Sequence, residues 1–177
     1  MNGWRSPCAW LAVVPLALGA CGGGSRGGPS AAPPVPPQPA ATCVARDVTP
    51  PDESPYRLPF AVGSSFVMFQ GNCPPNSTWG HHGKYAYDFQ MPIGTPIHAM
   101  RDGTVFFTED RFEDSDHTAG HENGVWIEHV DGTVSNYLHM TQSSVLVTVG
   151  GAVAADDLVG FSGNSGASDR PHLHVEA

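Results

Sequence analysis

Nine histidines stand in the chain, and two of them are separated by a single residue in His172-Leu173-His174. Alternate side chains of a strand share a face. His172 and His174 would therefore point the same way, with Leu173 and Val175 turned into a core. Two imidazoles side by side can supply one metal ligand and one proton-handling group, since imidazole is the commonest protein metal ligand and titrates near neutral pH. A bare His-x-His also fits a pair of solvated histidines. Three further segments add weight to the chemical reading. His81-His82-Gly83-Lys84-Tyr85-Ala86-Tyr87-Asp88-Phe89 sets histidines just ahead of an aspartate. Tyr137-Leu138-His139 ends a strand-like run. Gly163-Asn164-Ser165-Gly166 leads into Pro171-His172-Leu173-His174-Val175-Glu176.

The elements that must position these groups are short strands between turn signals. Gly103 to Phe107 is β-branched and aromatic. Gly124 to Val130 and Thr133 to His139 flank Asp131-Gly132, a strong hairpin signal. Val145 to Val149, Leu158 to Ser162 and His172 to Glu176 are further candidate strands. No segment sustains a helical period. The pattern predicts an all-β, largely antiparallel domain with Gly-rich corners. The pairs Ser162-Gly163 and Ser165-Gly166 lack the partners of a phosphate loop or a serine nucleophile and read as turns.

Taken together and in this order, the motifs resemble the M23 family of zinc metallopeptidases, the lysostaphin-like or LytM-like cell-wall endopeptidases. The resemblance runs from about Tyr56 to Ala177 and includes Leu58-Pro59-Phe60 and Gln70-Gly71-Asn72. It implies a groove built on antiparallel sheets and one Zn2+ per chain, held by His81, Asp88 and His174. Three protein ligands and an open position are how a catalytic zinc site is built, and such a zinc brings the pKa of water to about 7 and polarises a carbonyl. His139 and His172 match the family's two further active-site histidines. One would accept the proton of the attacking water and the other would stabilise the oxyanion. One departure touches the first ligand. The family pattern has one residue between the Gly of His-x-Gly and the aspartate, whereas Lys84 to Tyr87 intervene here, so His82 is the alternative to His81. His129 matches a scaffold position, and His98 reads as structural. His117 and His121 fall in an acidic loop, Glu109 to Asn123, read as solvated surface, with a border of the substrate groove as the alternative. The chain stops directly after the His-x-His strand, where family domains usually continue, so a shortened C-terminal edge is expected.

The implied substrate is the peptide part of bacterial peptidoglycan. The alternative, from a different class, is a non-catalytic LytM-like lipoprotein that binds the cell wall or activates amidases; such proteins typically lack the zinc ligands. A zinc-binding structural lipoprotein without turnover is a third reading. Nucleic acid is excluded as a partner, because 17 acidic against 8 basic side chains give a formal charge of −9 and phosphate binding needs the opposite balance. A monomer is expected.

Ahead of the domain, Ala9 to Ala20 is an apolar run. It is too short for a membrane-spanning helix, which needs ~20 residues, and fits the core of a secretory signal. Its end, Leu18-Gly19-Ala20-Cys21, resembles the lipobox of bacterial lipoproteins, with an ordinary signal peptide as the alternative. The resemblance implies cleavage before Cys21, lipid on Cys21, and, since Gly22 is not the aspartate of inner-membrane retention, periplasmic exposure from the outer membrane. Gly22 to Ala41 is almost wholly Gly, Ser, Ala and Pro, a composition that reads as an extended tether. The expected organisation is therefore a signal peptide at 1–20, a lipidated cysteine and linker at 21–54, and the peptidase-like domain at 55–177. Cys43 and Cys73 could form a disulfide in an oxidising compartment, the alternative being two free thiols.

Overall fold

The computed structural model describes residues 49–50, 52–71, 81 and 85–177. Cys21, Cys43, Cys73 and His82 lie outside the described residues, as do the leader and the tether.

Nine strands follow in chain order: β1 (Met68–Gln70), β2 (Ala86–Gln90), β3 (Pro96–His98), β4 (Gly103–Glu109), β5 (Gly124–Glu128), β6 (Val134–Leu138), β7 (Ala152–Val153), β8 (Leu158–Phe161) and β9 (His172–Glu176). Seven form one antiparallel sheet in the order β1-β2-β9-β6-β5-β4-β7, and β3 pairs with β8 in a second. The fold is all-β, with no helix among the described residues. The hairpin signal at Asp131-Gly132 forms as expected. Gly132 N–H donates to His129 O, His129 N–H donates to Thr133 O, and Gly132 takes φ 80°. That is a three-residue hairpin loop whose left-handed position asks for glycine. The expectation of a strand at Val145–Val149 is corrected. Val145 and Val147 pack partly against the core, but the segment makes a single ladder-like bond, Leu146 N–H to Val159 O, and stays irregular.

The core lies between the inner face of the large sheet and the β3–β8 pair. Phe89, Val105, Val125, Ile127, Tyr137, Leu173 and Val175 come from the large sheet, and Ile97 and Val159 from the small one. Alternation does the positioning. Leu173 and Val175 are buried in the core, so His172 and His174 must emerge on the opposite face of β9. A one-residue slip would reverse every side chain. It would expose two aliphatic side chains, each worth roughly 1.5–3 kcal/mol when buried, and thrust two imidazoles into an apolar layer.

Tyr137 ties the layers together. It is fully buried, and its hydroxyl accepts a 2.6 Å hydrogen bond from Met100 N–H. Removing that hydroxyl leaves a buried backbone donor without its partner, which costs about 1–3 kcal/mol. Tyr137→Phe should therefore lower the unfolding free energy by that much, read as a lower urea midpoint at an unchanged m-value; an unshifted midpoint would show that Met100 N–H has another partner.

Candidate metal centre and its flanking histidines

On β2 and β9 the pairing register sets Asp88 directly opposite His174 and Gln90 opposite His172. Asp88 is almost wholly buried, and its Oδ1 lies 2.9 Å from His174 Nδ1. Its Oδ2 lies 3.6 Å from His81 Nε2, and His172 Nε2 stands 3.9 Å from Oδ1. Burial pushes the Asp88 carboxyl up. The His174 hydrogen bond and the charges of His174, His81 and His172 push harder the other way, leaving it below the ordinary carboxylate value.

His81 enters from the chain ahead of β2, where its N–H donates to Gly71 O at 3.2 Å. Its ring centroid is 4.5 Å from that of His174. One donor atom from each of His81, Asp88 and His174 falls within 4.8 Å of the others. Two imidazole nitrogens and a carboxylate oxygen, gathered at a cleft of about 370 Å³, are the donor set and the open side that a catalytic zinc takes. The residues present therefore fit the metal.

His139 and His172 stand on the other side of His174. Their ring centroids are 4.4 Å apart, and His139 lies 6.1 Å from His174. Each ring is held through Nδ1 by a backbone carbonyl: His139 Nδ1–H donates to Ser165 O at 2.7 Å, and His172 Nδ1–H donates to Arg170 O at 2.8 Å. In the neutral ring this puts the proton on Nδ1 and leaves the Nε2 lone pair free. Ser168 Oγ also lies 3.1 Å from His172 Nδ1. His139 sits just past the end of β6 at φ 63°, a left-handed conformation uncommon outside glycine and concentrated at functional sites. Burial, then the neighbouring His172, pushes the His139 imidazolium down to about 4.

The loop at 109–123 is more than the solvated surface expected of it. Asp114 accepts from Asn164 N–H and from Thr141 Oγ–H, at 2.7 and 2.5 Å. Gly166 N–H donates to Asp116 O, Ala167 N–H to Glu122 Oε1, and Asn123 N–H to Ser165 Oγ. These bonds fasten the acidic loop to 163–168, the segment whose carbonyl holds His139. At Gly163 an added Cβ would collide with Thr141 N and Asp114 Oδ1, so only glycine admits this approach. His117 lines the cleft, as do Phe69, Gln70, Ser168 and Asp169. His121 points away from it, onto Asp116 at 2.8 Å and stacked on Phe112. His98 and His129 are structural. His98 Nδ1 lies 2.7 Å from Asp156 O, and His129 bridges Asp102 O and Ser135 Oγ. The carbonyl holders of His139 and His172 carried no signal in the sequence, because any residue type can supply a carbonyl.

A sequence model of the family described as "Peptidase family M23" matches residues 82–177. The chain is 40% identical over 89 residues to the peptidoglycan DD-endopeptidase ShyA of Vibrio cholerae, a match covering 50% of this chain and 19% of that protein. It is 33% identical over 107 residues to the glycyl-glycine endopeptidase ALE-1 of Staphylococcus capitis, covering 60% of this chain and 27% of that one. The chain thus spans less than a third of either curated relative. The catalytic domain of the prophage-encoded M23 protein EnpA from Enterococcus faecalis, solved as a point mutant, superposes with a TM-score of 0.51 at 28% identity, over 67% of this chain and 84% of that domain.

The depressed His139 has a consequence for stability. Unfolded, the ring takes up a proton near its ordinary value of 6.5; folded, only near 4. The unfolded state binds more protons between those values, so stability falls as the pH drops through that window. The loss for the metal-free protein is on the order of 3 kcal/mol. Urea denaturation from pH 7 to pH 4 should show this decline, and His139→Gln should remove most of it. An equal decline in the variant would mean that other groups cause the slope.

Proposed function

The chain belongs to peptidase family M23, and from that premise we propose that it is a zinc-dependent endopeptidase hydrolysing peptide bonds in bacterial peptidoglycan. The observation that carries the reading is the convergence of His81, Asp88 and His174 on one point, with two further histidines beside it and a cleft in front. His81, Asp88 and His174 would hold one Zn2+ per chain. Bound there, zinc would supply Lewis-acid polarisation of the scissile carbonyl and acidify water at the site.

The remaining work falls to the chain's own groups. Asp88, buried and ionised, would offset the metal charge and is itself held by β2. With Nδ1 bound to a carbonyl, His139 and His172 line the cleft with Nε2 as the nitrogen left for proton transfer. Either can take the proton of the attacking water. The other, or the imidazolium so formed, can donate to the oxyanion and then to the leaving amine. The low affinity of His139 for protons keeps it neutral at pH 7. The acidic loop excludes slack from this pair by fixing the carbonyl that holds His139. The non-catalytic alternative is not favoured, because it calls for a site that has lost its metal ligands.

Outside the described residues we propose export and a lipid on Cys21, with anchoring in the outer membrane. The twenty residues of the tether, 22–41, would span on the order of 60 Å if extended, enough to carry the domain toward the wall. Cys21→Ser should then move the protein out of the membrane fraction; unchanged sedimentation with membranes would contradict the anchor.

Separate measurements of zinc content and hydrolysis test the division of labour. His174→Ala and Asp88→Ala should lose both. His172→Ala and His139→Ala should keep most of the zinc while hydrolysis falls by roughly 10²–10⁴-fold, the range of general acid–base groups. Comparing His81→Ala with His82→Ala identifies the first ligand, since only the true one should lose metal. If His172→Ala lost zinc as completely as His174→Ala, the assigned roles would be wrong.

A further inference from the structure

His172 is gripped from the side away from the metal ligands. Its Nε2 stands 3.9 Å from Asp88 Oδ1. Its Nδ1 faces two oxygens, Arg170 O at 2.8 Å and Ser168 Oγ at 3.1 Å. The backbone is pinned separately, by His172 N–H donating to Gly163 O at 3.3 Å. Phe69 packs edge-on to the ring with centroids 5.4 Å apart, and His139 tilts against it at 4.4 Å.

Ser168 is buried, although Ala167 and Asp169 on either side of it are exposed. A polar side chain turned inward is held there by hydrogen bonds. Its hydroxyl reaches three groups: Asn164 Oδ1 at 2.7 Å, Arg170 O at 2.8 Å and His172 Nδ1 at 3.1 Å. A carbonyl can only accept, so Nδ1 beside Arg170 O carries the ring proton. Ser168 Oγ then accepts from that same Nδ1–H and sends its own single proton to Asn164 Oδ1 or to Arg170 O. Turning the Asn164 amide over leaves the arrangement at His172 unchanged: Asn164 Nδ2–H donates to Ser168, and Ser168 donates to Arg170 O. Asn164 is itself placed by Asp114, whose carboxylate accepts from Asn164 N–H at 2.7 Å. The acidic loop that fastens the segment holding His139 therefore also reaches His172, through Asn164 and Ser168.

We propose that Ser168 is a positioning residue which, together with Arg170 O, holds the His172 ring in one orientation and one tautomer, with Nε2 toward the metal ligands. This role rests on reading the cleft as a peptidase site. One acceptor fixes one point of a ring that can still rock about its Cβ–Cγ bond. A second acceptor on the same N–H, set at a different point, removes that freedom. A half-turn of the ring would place a carbon against both oxygens and lose both contacts at once. Orientation is what a proton-handling group needs, because a small misplacement of a reacting group costs a large factor in rate. Ser168 acts through His172 rather than on the substrate.

The test uses the full chain, loaded with zinc, and cross-linked peptides purified from peptidoglycan. Ser168→Ala should lower kcat about tenfold, the scale of one hydrogen bond lost, at a nearly unchanged KM and full zinc content. Ser168→Thr, which restores the hydroxyl, should recover most of the rate. A second readout needs no hydrolysis. In protein carrying heavy-nitrogen histidine, the His172 Nδ1–H resonance is identified by its absence in His172→Gln. It should be protected from exchange with water in the unaltered protein, lost to exchange in Ser168→Ala and restored in Ser168→Thr. An unprotected resonance in the unaltered protein, or a full kcat or a protected resonance in Ser168→Ala, would overturn the positioning role. A fall in kcat matched by a fall in zinc content or in the urea midpoint, and not recovered by Ser168→Thr, would make Ser168 part of the scaffold and overturn it too. If the unaltered protein cleaves nothing, the peptidase reading fails, and the resonance alone decides whether Ser168 holds His172.

Discussion

The antiparallel pairing of β2 with β9 governs the rest of the molecule. It sets Asp88 across from His174 and Gln90 across from His172, while Phe89, Leu173 and Val175 close the core on the other side. Polar chemistry and apolar packing thus share five residue pairs, and neither can shift without the other. The hydrophobic face supplies the energy that holds the register, and the register supplies the geometry that a metal needs. A carboxylate this deeply buried would be costly alone; ringed by His81, His172 and His174, it stays ionised.

A second layer of control acts through loops. His139 and His172 hang from backbone carbonyls at Ser165 and Arg170, and the Ser165 segment is fastened to the acidic loop at 109–123 by side-chain and backbone bonds. Carbonyl acceptors fix the tautomer without adding charge, which suits rings that must trade a proton. The acidic composition of the loop accordingly serves hydrogen bonding within the domain: Asp114, Asp116 and Glu122 each accept from a backbone N–H of another residue.

Much of this is legible in the sequence alone. The period-two pattern of His172 to Glu176 identified both the strand and the shared face of its histidines, and Asp131-Gly132 identified the hairpin, because both signals are local. The all-β class followed from the same local patterns. What stayed hidden depends on long-range register or on groups with no side-chain signature. Val145–Val149 alternates like a strand, yet no neighbouring edge pairs with it along its length. His117 reaches the cleft only because its loop folds back over 163–168. Spacing alone admits both His81 and His82 as the first ligand; the structure brings His81 to Asp88, and His82 lies outside the described residues.

The central claim, that this buried carboxylate and its histidines make a hydrolytic metal site for wall peptides, is tested most directly on the substrate itself. Purified peptidoglycan fragments would be incubated with the zinc-loaded protein and weighed by mass spectrometry. The account predicts paired peptide products whose masses sum to the parent plus one water, absent after chelation and restored by zinc. Unaltered fragments from a folded protein that demonstrably holds zinc would contradict it.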